Sequence, residues 1–90
     1  MDISYDPAKN EELIRRRGIG FGEIKNIFLQ PYYEEPRGGY YPGQTMAIGY
    51  YNRKLWTLIY EEIEDDIGQL RWLVTFWPST TIEKRKYRNA

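Results

Sequence analysis

Apolar residues recur every three or four positions up to about residue 30, and from residue 44 the period shortens to that of strands. The N-terminal stretch 2–5 reads as a short strand feeding a helix over residues 7–17. Asp6 is suited to cap that helix, Pro7 to open it, and Gly18 to stop it in a left-handed conformation. Glu11 and Glu12 lie in its early turns and Arg15, Arg16 and Arg17 in its last, an arrangement that suits the helix dipole. Phe21, Ile24, Ile27 and Phe28 mark a second helix, about 21–29, ending before Pro31. The segment QPYYEEPRGGYYPG, 30–43, holds three prolines, three glycines and four tyrosines, and it predicts a long loop.

TMAIGYYN and LWTLIYEEI are aromatic and β-branched runs joined by Asn52-Arg53-Lys54, which predicts a hairpin. The acidic run from Glu61 to Asp66, closed by Gly68, reads as the next turn. LRWLVTFW, 70–77, is the most apolar run and predicts a central third strand, stopped by Pro78. Thr80 with Glu83 three residues on forms a capping box for a short basic helix. The expected fold is α+β: a short N-terminal strand, two helices, a three-stranded antiparallel meander and a C-terminal helix. The helices are expected on one face of the sheet.

Ninety residues suffice for one domain, 1–90, with a small core. The absence of cysteine excludes disulfides and thiolate metal sites, and the absence of histidine removes the usual zinc ligand and the usual neutral-pH base. No metal and no cofactor is expected. Thirteen basic residues balance thirteen acidic ones, so any affinity for nucleic acid must come from local clusters. The start MDISYD lacks the apolar run of a signal peptide and no stretch is long enough to span a bilayer, so the chain reads as cytoplasmic with no membrane partner.

Four basic clusters present themselves: Arg15, Arg16 and Arg17; Arg53 and Lys54 at the hairpin tip; Arg71 on the meander; and Lys84, Arg85, Lys86 and Arg88 in the last helix. Each is either solvated surface or a contact for phosphates or a protein partner. A small fold could bring the ends of the first and last helices onto one side. Tyr50, Tyr51 and Tyr60 read as sheet packing. Tyr32, Tyr33, Tyr40 and Tyr41 either stack on bases or a partner or fold over the core. Glu61, Glu62, Glu64, Asp65 and Asp66 lack the spacing of a calcium loop and read as a solvated turn. Gly18, Gly20 and Gly22 imitate a nucleotide fingerprint but follow a helix instead of a strand, so that reading fails.

Tyr5-Asp6-Pro7-x-Lys9, then Arg15-Arg16-Arg17-Gly18-Ile19 and Phe21-x-Glu23, resembles the start of the BrnT family, toxins of bacterial type II toxin–antitoxin modules. Glu83, Arg85 and Tyr87 match the basic last helix of that family. The resemblance implies a RelE-like fold, ribonuclease activity that blocks translation, and a ribbon-helix-helix antitoxin called BrnA. It implies RNA as a partner and cleavage without a metal, through attack of the 2′-hydroxyl on the adjacent phosphate. On this resemblance Arg17, Glu83, Tyr87 and Lys9 are the candidate catalytic residues. Arg17 stands where the family has histidine, Trp77 and Trp72 where it has arginines, and Arg71 lies one position off. The alternative is a non-catalytic binding protein that retains the fold.

Overall fold

The computed structural model describes residues 2–90, apart from the side chain of Asp65. It is an α+β fold: a five-stranded mixed sheet with three helices. Strand β1 (Asp2–Tyr5) leads into helix α1 (Pro7–Arg17), and helix α2 (Phe21–Ile24) continues as a 3-10 turn (Lys25–Leu29). Strands β2 (Tyr33–Gly38), β3 (Tyr41–Tyr51), β4 (Lys54–Asp65) and β5 (Gly68–Pro78) follow, and helix α3 (Thr81–Arg88) closes the chain. The strand order is β1-β5-β4-β3-β2, with β1 parallel to β5 and the other pairs antiparallel.

The expected caps form. The Asp6 carboxylate accepts from the Ala8 N–H at 3.0 Å, and Gly18, at φ 82°, donates its N–H to the Ile14 carbonyl. Gly20 is needed for a different reason: a Cβ there would lie 2.5 Å from Asn10 Oδ1. That amide oxygen instead accepts the Phe21 N–H at 2.8 Å, and the Glu23 carboxylate reaches back to the Gly20 N–H. The glycines thus serve a tight helix–helix corner.

Four expectations are corrected. The segment 30–43 is not only a loop, because it contains β2 and the start of β3. Pro36 and the polar residues around it are tolerated because β2 is an edge strand. The acidic run belongs to β4, where Glu62 pairs across the ladder with Arg71, and only its end turns. The middle strand is β4 and not β5. Finally, the helices do not share one face.

Period-2 alternation gives the sheet two apolar faces. Ala47, Trp56, Leu58, Tyr60, Leu73 and Phe76 pack against Leu13, Phe21, Ile24 and Ile27 of α1, α2 and the 3-10 turn. Met46, Ile48, Leu55 and Ile59 form the other face, covered by Tyr87 of α3 together with Tyr33, Val74 and Trp77. A sheet buried on both sides needs buried residues at consecutive positions, and residues 55–60 supply them, all apolar or aromatic except Thr57. Each large apolar side chain fully buried there contributes about 1.5–3 kcal/mol. Among the described residues, no helix is long and apolar enough to cross a membrane.

Candidate polyanion-binding face

Helix α3 is fixed to the sheet by a polar network that forms around Glu83. Its carboxylate accepts from the Thr57 hydroxyl at 2.9 Å, the Trp77 indole N–H at 3.0 Å and the Thr80 N–H at 2.9 Å. Thr57 has only one hydroxyl proton, so Ser79 donates the 2.9 Å bond that these two hydroxyls share. Burial pushes the Glu83 carboxyl up, but the bonds from Thr80, Trp77 and Thr57 outweigh it and hold the group below its ordinary range.

With Glu83 and Tyr87 facing the sheet, the helical period settles where the cations of α3 point. Lys84 and Arg88, four residues apart, flank one side, Lys86 the other, and Arg85 points outward and is exposed. Lys86 reaches Glu35 on β2, and that carboxylate holds the ammonium above its ordinary value. Lys84 and Arg88 instead face the β3–β4 turn. There Tyr50, Leu55, Arg53 and Lys54 complete a hollow of about 180 Å³. Among the described residues, none of its four cations is paired with a carboxylate. The Lys54 ammonium also lies 4.9 Å from the Trp56 ring.

The turn itself is unusual. Asn52 and Arg53 have φ of 52° and 69°, the two positive values of a type I′ hairpin. Glycine is the favoured residue at the second position, and a left-handed arginine there costs of order 1 kcal/mol. A strained cation facing a hollow of unpaired cations is a feature that packing alone does not explain.

The remaining expected site residues lie elsewhere. Arg15, Arg16, Arg17 and Lys9 are on α1, across the sheet from α3, so the two helix ends do not meet on one side. Lys9 and Arg16 pair with Glu12, and Arg15 is exposed. Arg17 is half-buried, and its Nε has no hydrogen-bond partner among the described residues. Of the four candidate catalytic residues, Glu83 and Tyr87 are together on one face, and Arg17 and Lys9 are on the other. The chain matches no protein-family model and no curated protein.

Arg71, also on the α1 and α2 face, lies 4.6 Å from the Phe28 ring and 4.7 Å from the Tyr60 ring, with Glu62 at 3.6 Å. Tyr60 donates to Glu34 at 2.5 Å; burial, and then that bond, hold its phenol far above its ordinary value. Within this cluster the Arg71 Nε, like that of Arg17, has no hydrogen-bond partner among the described residues and is matched only by the Glu62 charge. Tyr87 donates to the Pro31 carbonyl at 3.4 Å, and its ring meets Tyr50 edge-to-face at 5.4 Å.

The reading from sequence assigned Tyr50 to sheet packing, and its ring does pack against Tyr87. Tyr50 is also 37 % exposed and lines the cationic hollow. Its place just before a turn that carries Arg53 and Lys54 was the available signal.

Proposed function

We propose that this chain is an RNA-directed protein of BrnT-like type, with the RelE-like arrangement the resemblance implies. In this reading it is the toxin of a pair, restrained by a BrnA-like ribbon-helix-helix antitoxin. The observation that carries the RNA part is the hollow lined by Arg53, Lys84 and Arg88, which have no carboxylate partner among the described residues, with Lys54 at its edge. Backbone phosphates are the ligands such a set attracts, and neutralising them is the main source of nucleic-acid affinity. Strand scission in this reading proceeds by attack of the 2′-hydroxyl on the adjacent phosphorus, breaking its bond to the 5′-oxygen and leaving a 2′,3′-cyclic phosphate. The hydroxyl proton passes to solvent, which protonates the departing oxygen, and arginine and lysine stabilise the charge that develops on phosphate. Glu83 is too fully engaged as an acceptor to move a proton freely.

That last observation favours a second reading, a binding protein of the same fold that does not cleave. Induced expression in a bacterial host, scoring growth and RNA integrity, separates the two. Growth arrest with RNA loss in the wild type, relieved by Lys84→Glu with Arg88→Glu, is the outcome expected of a toxin. RNA binding by the purified protein with neither effect assigns it to the non-cleaving class. Absence of RNA binding removes the RNA-directed reading and leaves only a protein-binding role for the fold.

A further inference from the structure

We propose that the hollow reads an unpaired nucleobase as well as phosphate, with Tyr50 as the stacking platform. This inference rests on the RNA-directed reading above and names the form of nucleic acid the site takes. Tyr50 is the one aromatic side chain lining the cationic hollow, and it stays 37 % exposed although it belongs to a well-packed strand. Its ring is held by Tyr87 at 87° between the ring planes, with centroids 5.4 Å apart. A perpendicular contact covers at most one face of a ring, so at least one face of Tyr50 is clear of Tyr87. That contact restrains the ring, so stacking on it requires less ordering of the side chain than a free tyrosine would.

The cations are placed to complement a stacked base. Arg53 approaches from the turn and Lys84 and Arg88 from the helix, so a phosphate bound by either brings a base near the tyrosine that lines the same hollow. A paired base cannot use such a platform, because its faces are covered within the helix. Duplex RNA is recognised instead by long, shape-matched surfaces spanning successive grooves. The other cation of α3 that faces the sheet, Lys86, is already paired with Glu35 and cannot extend the patch. The chain as a whole carries no net charge. A short single-stranded segment is the ligand that this combination selects.

The test uses three fluorescently competed probes at low salt: a short mixed-sequence single strand, the same strand annealed to its complement, and inorganic polyphosphate. Both strands carry 2′-O-methyl groups, which removes the attacking hydroxyl, so cleavage cannot distort the titration. The wild type should bind the single strand about tenfold more tightly than the duplex or polyphosphate. Tyr50→Ala should erase that gap while leaving polyphosphate affinity unchanged, and Tyr50→Phe should preserve it. Tyr50→Leu, which keeps apolar bulk over the sheet but has no ring, guards against loss through misfolding and should behave like Tyr50→Ala. Equal wild-type affinity for all three probes, or a gap that survives Tyr50→Leu, overturns the stacking platform and leaves the polyanion-binding reading standing. Binding of none of the probes overturns both.

Discussion

Glu83 accepts three hydrogen bonds, two of them from the part-buried Thr57 hydroxyl and Trp77 N–H, so its loss is felt through its partners. Glu83→Ala strands the Thr57 hydroxyl, the Trp77 N–H and the cap of α3, and should cost about 2–4 kcal/mol in denaturant unfolding. Glu83→Gln keeps one acceptor and should cost less. The pH dependence follows from the lowered carboxyl. A group held below its unfolded value, about 4.3 for glutamate, stabilises fully above that pH. Its contribution is lost as pH falls through the lower folded value. Stability of Glu83→Gln should therefore fall less steeply than that of the wild type below about pH 4, as measured by thermal melts across that range. The cap was legible in the sequence because Thr80 and Glu83 lie three residues apart. Thr57 was not, because it lies twenty-six positions away and only the sheet brings it under α3.

At the scale of elements, the β3–β4 turn joins stability and binding at a single residue. Arg53→Gly removes the strain of a left-handed arginine and should raise stability by about 0.5–1 kcal/mol. The same change removes a cation from the hollow and should weaken RNA binding several-fold. A calorimetric melt beside a binding titration checks that the two move in opposite directions; lowered stability with unchanged affinity would show Arg53 to be a structural residue. The hairpin was readable because its turn chemistry is local. Strand β2 was not, because Pro36 and the glycines that follow argue against a strand unless it lies at an edge, and edge position is a property of the whole sheet. For the same reason the acidic run appeared to be a turn. Its glutamates are carried on the exposed half of a long strand, where Glu62 meets Arg71 from β5.

For the molecule as a whole, the sheet separates cations that look equivalent along the chain. The arginines ending α1 lie on the face covered by Leu13 and Phe21, and those of α3 on the face covered by Tyr87. The reading from sequence expects the helices on one face, because local period cannot say that the last helix takes the far one. If the hollow beside Tyr50 is the polyanion site, charge reversal must act on one face only. Lys84→Glu with Arg88→Glu should reduce affinity for single-stranded RNA at least tenfold, whereas Arg15→Glu with Arg16→Glu should change it less than twofold, roughly the scale of long-range screened charge. The salt dependence distinguishes lost contacts from a general change in field. Each phosphate contact removed lowers the slope of log affinity against log salt by about 0.7 for single strands, so the α3 pair should flatten it by about 1.4 and the α1 pair should leave it unchanged. Equal effects from the two pairs would mean that affinity follows summed charge, and the face would lose its claim to be a site.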